Sequence, residues 1–188
     1  MPFGLYIHIP FCRSKCPYCG FCSITSGESL IVSYADAVSQ ELRMRLAGRF
    51  AGKPETLYIG GGTPSLVPVA VVRGMLKQLI PIKVTEFSVE ANPESLEEHW
   101  LGGILECGAN RISIGIQSLD STVLATLGRI HTVDQARQAV IRARKAGFKN
   151  VSVDLIFGIP GQTMAIWDET LGGVLELAPD HVLSLIHI

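Results

Sequence analysis

The chain has 188 residues, of which 47% are hydrophobic and 18% are charged, and its formal net charge is −1. This composition supports one sizeable core and excludes a disordered protein. The near-zero charge gives no electrostatic basis for binding nucleic acid, and no apolar run of about 20 residues predicts a transmembrane helix. Residues Met1–Gly4 lack the basic and apolar stretches of a signal peptide, so a cytoplasmic protein is expected.

Strand-like and helix-like segments alternate along the chain. Apolar runs predict six strands: Leu5–Ile9, Thr56–Ile59, Glu86–Glu90, Arg111–Ile116, Val151–Phe157 and one beginning near His181. Helical patterns lie between them: one behind a cap at Ser33, one over Val71–Leu79, two ending near Gly108 and Gly147, and one over Ala165–Leu177. This α/β alternation predicts a parallel sheet, and five or six such units favour an open or closed β/α barrel over a doubly wound sheet.

Unusual stretches follow the predicted strands where each one ends. They are Cys12–Cys19 after the first strand, Gly60–Pro64 after the second, Glu90 closing the third, Gln117 after the fourth and Gly158–Gln162 after the fifth. In β/α folds the carboxyl ends of the strands meet at one rim, which carries the functional site. The sequence therefore predicts a single site on this rim.

Three of the five cysteines, Cys12, Cys16 and Cys19, have the spacing C-x3-C-x2-C. A structural zinc site takes four ligands, usually from two separated C-x2-C pairs, and the sequence has no second pair. Three thiolates in one loop would instead hold a 4Fe–4S cluster with one iron open to an exogenous ligand. That is the arrangement required to bind and cleave S-adenosylmethionine.

Six ordered motifs extend this pattern: "YIHIPFC", "CPYCGF", "GGGTPS", "VEANP", "GIQS" and "DLIFGIPGQT". Together they resemble the oxygen-independent coproporphyrinogen III oxidase family of radical S-adenosylmethionine (SAM) proteins, from about Tyr6 to Val182. The resemblance implies a partial (β/α)6 barrel truncated near the sixth strand. It also implies a 4Fe–4S cluster, S-adenosylmethionine on its open iron, and an electron donor for the cluster.

Residues beside the cysteines resemble one branch of this family. In the oxidase branch the motif continues C-x2-C-x-C, whereas here Phe21 stands two places after Cys19, as in the haem-chaperone branch, HemW. "GRIHT", Gly128–Thr132, also resembles that branch. The resemblance implies a chaperone that binds haem and passes it to acceptor proteins, with Cys22 packing nearby without binding the cluster. The alternative is the oxidase, which decarboxylates two propionates of coproporphyrinogen III, so whether the chain is an enzyme is left open.

The resemblance also assigns cofactor contacts. It places Tyr6 and Tyr18 beside S-adenosylmethionine, Gly61 in a turn that holds the methionine amino group, and Glu90 at the ribose hydroxyls. Tyr6 could also be a core aromatic residue, a role compatible with the first, and Tyr18 could equally be a loop aromatic that shields the cluster. A second S-adenosylmethionine pocket is implied for Gly62, Thr63, Gln117, Arg129 and Asp154.

Other predictions concern single side chains. The carboxylate of Asp154 lies inside an apolar strand and is expected to pair with Arg129, because a buried charge needs a partner. His131 is expected to be exposed on a loop, where it could touch haem. His8 is expected to pack near the cluster and His99 to be exposed. Cys107 is expected to be a small buried residue.

The last six residues, "LSLIHI", form a strand-like end with no cap or polar terminus. They can be encoded by a nucleotide sequence that matches a transposon end used in sequencing libraries. We therefore expect residues 1–182 to be the core domain of a longer protein and residues 183–188, with His187, to be adapter-encoded; a genuine short terminus is the alternative. A longer reading frame in an independent assembly would test this expectation.

Overall fold

The computed structural model describes residues 2–25, 29–48 and 53–186. Its strands are β1 Gly4–Ile9, β2 Thr56–Gly61, β3 Glu86–Ala91, β4 Arg111–Gln117, β5 Asn150–Phe157 and β6 His181–Ile186. Its helices are α1 Ser29–Ala47, α2 Val69–Met75, α3 Glu98–Glu106, α4 Ser121–Thr126, α5 Val133–Ala146 and α6 Met164–Glu176. Short 3₁₀ turns follow β2, α2 and β3 at Pro64–Leu66, Lys77–Leu79 and Pro93–Ser95.

The six strands form one parallel sheet in the order β1-β2-β3-β4-β5-β6. A doubly wound sheet would reverse direction at a switch point, and this sheet has no reversal. Each crossover therefore moves one strand further in the same direction, which is the winding of a β/α barrel. The predicted partial six-unit barrel is confirmed, and the doubly wound alternative is wrong.

The strands present different chemistry on their two faces. Residues on one face are apolar and buried against the helices; they include Ile7, Ile59, Val89, Ile112, Ile114 and Val153. Alternate residues on the other face are largely polar; they include Tyr6, Tyr58, Ser88, Glu90, Ser113 and Asp154. Since successive side chains of a strand point to opposite faces, the helices cover one side and a polar concave wall remains on the other. The site lies on that wall.

Helix ends follow local capping chemistry where the structure describes them. Thr132 caps α5 in a capping box with Gln135, and Gly147 ends that helix with a left-handed φ of 116°. The predicted cap at Ser33 is wrong, because α1 already begins at Ser29 and the Ser33 hydroxyl donates to the carbonyl of Leu30. The short helix α4 was not predicted, since six residues carry too little periodicity.

Several smaller predictions can be compared with the structure. His99 is exposed and lies 3.1 Å from Glu97, as expected. Cys107 is half-buried and packs against the core at the end of α3. The strand β6 continues to Ile186, and the prediction about His187 lies outside the described residues. Among the helices that the structure describes, none has the length and apolar character needed to span a membrane.

Candidate cofactor site

The loop after β1 holds the three predicted cluster cysteines. The amide of Ile24 donates to the carbonyl of Pro10 at 2.7 Å, and the amide of Cys12 donates to the carbonyl of Ile24 at 3.0 Å. These bonds bring the two ends of the loop together. Within it, the amide of Cys19 donates to the carbonyl of Cys16 at 3.0 Å, forming a tight turn. The three thiols are free and half-buried, and these backbone hydrogen bonds hold them together in one compact loop.

A cavity of about 170 Å³ opens between this loop and the polar wall of the sheet. All the predicted site residues except Tyr6 and Thr63 line it: Cys12, Cys16, Tyr18, Cys19, Gly61, Gly62, Glu90, Gln117, Arg129 and Asp154. A larger groove of about 440 Å³ lies between β1 and α1, but none of the predicted cluster cysteines lines it. The smaller cavity is therefore the candidate site.

The remaining thiol of this region, Cys22, is exposed and does not line the cavity. The backbone carbonyl of Cys22 accepts a hydrogen bond from His8 Nε2 at 2.8 Å. Because a carbonyl only accepts, this bond places the His8 proton on Nε2 and leaves Nδ1 to accept from the Tyr6 hydroxyl at 3.2 Å. His8 is thus packed and hydrogen-bonded at the cysteine loop, as predicted.

The glycine-rich turn after β2 lies directly against the cysteine loop. The amide of Gly62 donates to the carbonyl of Ile9, and the amide of Thr63 donates to the carbonyl of Phe11, both at 2.7 Å. A Cβ atom on Gly62 would lie 2.6 Å from the Phe11 carbonyl oxygen and 3.0 Å from the sulfur of Cys12. Only a residue without a side chain lets the two loops approach this closely.

Two side chains from outside the loop point hydrogen-bond donors at cysteine sulfurs. The Thr63 hydroxyl lies 3.7 Å from Cys12 Sγ, and Arg129 Nη1 lies 3.7 Å from Cys16 Sγ. Donors placed at sulfur can hydrogen-bond a cysteine side chain that is bound to a metal and fix its orientation. Half-buried thiols, sulfur-directed donors and a closely fitted glycine turn therefore suit an iron–sulfur cluster.

The cysteines are not arranged as a site for one ion. In the part of the chain that the structure describes, no three His, Cys, Asp or Glu side chains are grouped to hold a single metal ion. A 4Fe–4S cubane takes each protein thiolate on a different iron, so its ligands are spread more widely than those of one zinc ion.

Glu90 is held rigidly at the end of β3. Its Oε1 accepts from the Tyr58 hydroxyl at 2.7 Å, and its Oε2 accepts from the amide of Gly61 at 2.9 Å. Tyr6, which is 55% exposed, stacks on Tyr58 with ring centroids 5.8 Å apart. Tyr6 is therefore a surface aromatic beside the site and not a core residue. Tyr58 was missed in the sequence, although its position on the second strand resembles that of Tyr6 on the first.

Gln117 has two features that are typical of a residue in a binding site. It has a left-handed φ of 62°, which is rare for residues other than glycine, at an irregularity in the pairing of β4 with β5. Its side chain lines the cavity, and its buried Oε1 atom has no hydrogen-bond partner. Strained backbone and an unpartnered buried polar atom both mark functional sites.

Asp154 and Arg129 both line the cavity, but the predicted pair between them is wrong. Asp154 accepts from the hydroxyl of Ser113 at 2.9 Å on the neighbouring strand. Arg129 instead donates to Asn92 Oδ1 at 2.8 Å and to the carbonyl of Gly115 at 3.0 Å. Burial raises the pKa of Asp154, and the charge of Glu90 adds to the effect. The cavity thus contains a carboxyl group that is costly to ionise.

His131 does not lie on an exposed loop as predicted. It is 3% exposed; its Nε2 lies 3.1 Å from the carbonyl of Ile116, and its Nδ1 lies 3.4 Å from Glu94. Burial alone would raise the pKa of Glu94, but contacts with His131 and Arg129 outweigh it and lower the pKa. No sequence pattern indicates this cluster, because its members come from two separate rim segments.

Tyr18 packs on a small apolar cluster formed by Val123, Leu127, Ile156 and Ile159. Its hydroxyl lies beside Cys16 and Arg129, and burial raises the pKa of the phenol well above its ordinary value. Tyr18 also lines the cavity, so this position suits both interpretations, a contact to S-adenosylmethionine and an aromatic side chain that shields the cysteine loop.

The arrangement of cysteines, glycine turn and polar wall agrees with a family comparison. The model of the Radical SAM superfamily matches residues 6–172. The chain belongs to the radical SAM superfamily. This family implies a 4Fe–4S cluster and S-adenosylmethionine, and the three cysteines of the C-x3-C-x2-C motif are present in this member.

This radical SAM chain has homologues among curated proteins. It is 35% identical to the heme chaperone HemW of Bacillus subtilis, over 96% of this chain and 50% of that protein. It is 36% identical to the heme chaperone HemW of Escherichia coli, over 96% of this chain and 49% of that protein. The chain spans about half the length of these relatives.

A solved structure is also similar. Coproporphyrinogen III oxidase (HemN) from Escherichia coli, a radical SAM enzyme, superimposes with a TM-score of 0.91 at 31% identity. The match covers 100% of this chain and 44% of the oxidase. This agreement supports the partial-barrel fold of the radical SAM chain.

Proposed function

We propose that this chain is the core of a HemW-type haem chaperone, which binds a 4Fe–4S cluster, S-adenosylmethionine and haem and transfers haem to acceptor proteins. The observation that carries the proposal is the compact loop of three free thiols, which opens into a cavity lined by the predicted cofactor residues. The similarity to proteins named heme chaperone HemW supports the haem cargo.

The cluster would be held by Cys12, Cys16 and Cys19. When bound, the cluster and S-adenosylmethionine together supply one-electron chemistry that cleaves the sulfonium bond. The protein residues would contribute orientation. The glycine turn brings backbone groups close to the cysteine loop, and Glu90, fixed by Tyr58 and Gly61, presents a rigid acceptor for ribose hydroxyls.

The second group of predicted residues would form a further part of the same pocket. Gln117 offers an unpartnered buried amide oxygen, and Asp154 offers a carboxyl group on the same wall. Gly62 and Arg129 line the same cavity and would complete this side of the pocket, with Thr63 buried just outside its lining. A second S-adenosylmethionine is the ligand that we propose for this group.

The choice of branch rests on Phe21. This residue stands where the oxidase branch has its additional cysteine, and its side chain is 59% exposed at the cavity. Cys22, the only other thiol beside the motif, is exposed and outside the cavity lining. A chain without that fourth cysteine is the pattern of the chaperone branch.

The alternative is an oxygen-independent coproporphyrinogen III oxidase, and the TM-score of 0.91 with the Escherichia coli oxidase favours it. In that case each of two propionate groups would lose one hydrogen atom, then carbon dioxide and one electron, which an electron acceptor would have to take up. An electron donor for the cluster is proposed under either function, and a haem-acceptor protein is proposed for the chaperone alone. The cytoplasmic location also stays a prediction from the sequence.

One experiment separates the two functions. The protein is expressed from its full gene, reconstituted anaerobically with iron and sulfide, and given coproporphyrinogen III, S-adenosylmethionine and a reductant. Protoporphyrinogen is assayed, and haem is titrated in parallel. Haem binding without turnover supports the chaperone, whereas turnover establishes the oxidase. Transfer of bound haem to an apo-haemoprotein, followed by its absorbance, then tests delivery.

A further inference from the structure

The two sulfur-directed donors are connected to each other through one residue, Asn92. Its Nδ2 lies 3.0 Å from the hydroxyl of Thr63, and its Oδ1 lies 2.8 Å from Nη2 of Arg129. Thr63 and Arg129 in turn reach Cys12 and Cys16, each at 3.7 Å. A continuous chain of hydrogen bonds therefore runs from one cysteine sulfur to the other through the side chain of Asn92.

The chemistry of the partners fixes the direction of every bond in this chain. A guanidinium group has donors only, so the Arg129 side of the Asn92 amide must be its oxygen. The amide nitrogen then faces Thr63 and donates to its hydroxyl oxygen. The Thr63 hydroxyl oxygen accepts this hydrogen bond, and the hydroxyl proton is donated to the sulfur of Cys12. Each end of the chain thus presents a donor to sulfur.

Asn92 is itself fixed in place. Its backbone amide donates to the hydroxyl of Ser65 at 3.3 Å. Its backbone carbonyl accepts from the backbone amide and the hydroxyl of Ser95, both at 3.0 Å. Thr63 is 2% exposed, and the Arg129 side chain is 7% exposed. In such a buried and hydrogen-bonded setting the donors keep their positions, and their effect on a neighbouring sulfur is screened less than at the surface.

From this geometry we infer that Asn92 is a positioning residue that tunes the reduction potential of the proposed cluster. Donors and positive charge at a cluster thiolate stabilise the reduced, more negative state and raise the potential. Asn92 touches neither sulfur; it acts by holding Thr63 against Cys12 and Arg129 against Cys16. The inference rests on the proposed cluster, because it concerns that cluster's potential.

The test is a redox titration, followed by electron paramagnetic resonance, of the reconstituted protein expressed from its full gene. Asn92→Ala should move the midpoint potential to a more negative value than in the wild type. Asn92→Asp should also lower it, because the carboxylate keeps Arg129 but draws the Thr63 proton away from Cys12. This second variant decides the question if Asn92→Ala does not fold.

Matched variants distinguish tuning from general loosening. Thr63→Val should lower the midpoint potential, whereas Thr63→Ser should retain the wild-type potential. In the double variant Thr63→Val/Asn92→Ala, the midpoint potential should shift by less than the sum of the two single shifts. Asn110 provides the control, because it bridges the Phe87 amide and the Thr85 carbonyl at the opposite end of the strands. Asn110→Ala should leave the potential unchanged.

The outcomes separate this inference from the proposed function. A wild-type protein that takes up no cluster overturns the proposed function itself. If the wild-type protein takes up the cluster and both Asn92 variants have the wild-type potential, the role of Asn92 is overturned and the proposed function stands. A shift in Asn110→Ala as large as that in Asn92→Ala also overturns it.

Discussion

Gly62 is the position where one added carbon atom would disturb the cysteine loop most directly. Its Cβ would meet the carbonyl oxygen of Phe11 at 2.6 Å, that of Ile9 at 3.0 Å and the sulfur of Cys12 at 3.0 Å. Two of these neighbours are backbone atoms, so neither can rotate away as the end of a flexible side chain could. Gly62→Ala should therefore push the glycine turn and the cysteine loop apart.

The size of the effect follows from the distances. The Phe11 carbonyl would have to retreat by about 0.8 Å to reach ordinary van der Waals contact. Overpacking of this kind costs about 1–3 kcal/mol. For a chain of this length each kcal/mol lowers Tm by about 2–4 °C, so Gly62→Ala should melt roughly 2–12 °C below the wild type. The displaced sulfur should also reduce cluster uptake.

The assay is thermal unfolding of the apo protein, with iron and sulfide content after reconstitution. Gly20 gives a matched control because it lies in the same cysteine loop and a Cβ there would meet nothing within 4 Å. Gly20→Ala should retain both the Tm and the cluster. A Gly62→Ala protein with wild-type Tm and full cluster content would refute the close approach of the two loops.

Three further results are expected. Cys16→Ala should abolish the absorbance of the reconstituted cluster while Cys22→Ala retains it; equal loss in both variants would make Cys22 a ligand. Glu90→Ala should weaken S-adenosylmethionine binding by about 10- to 100-fold without cluster loss, since hydrogen bonds to a charged group contribute about 1.5–3 kcal/mol; unchanged affinity in isothermal titration would contradict the ribose assignment. Burial and Glu90 raise the pKa of Asp154 in the folded protein above its ordinary value of 3.8, so between these two pKa values only the folded protein keeps this proton. The stability that the proton contributes is therefore lost as the pH rises through the raised pKa. Asp154→Asn should therefore raise Tm at pH 7 and bring no gain below pH 3.8; a gain of equal size at both pH values would count against this account.

Much of the architecture was accessible from local sequence. Strands such as Arg111–Gln117 are short apolar runs, and their alternation with helices fixes a parallel sheet with one-directional crossovers. The spacing of Cys12, Cys16 and Cys19 likewise lies within one loop, so the cysteine motif could be interpreted without tertiary information. Helix ends were less certain: Gly147 was found, whereas the cap assigned to Ser33 lies inside α1.

The partners of the site side chains were decided only by the tertiary structure. Asp154 was expected beside Arg129, yet the strand register places Ser113 next to it. His131 was expected in solvent, yet packing against Glu94 and Ile116 buries it.

The sequence by itself determined the β/α order, the cysteine loop and the rim on which the site lies, because each depends on periodicity or spacing within a short segment. Only the tertiary structure showed that Asn92, on the third strand's rim, connects donors from two other segments. The physical reason is that a hydrogen bond between side chains depends on strand register and on sub-ångström placement of three separate loops. No local pattern in the chain encodes that placement.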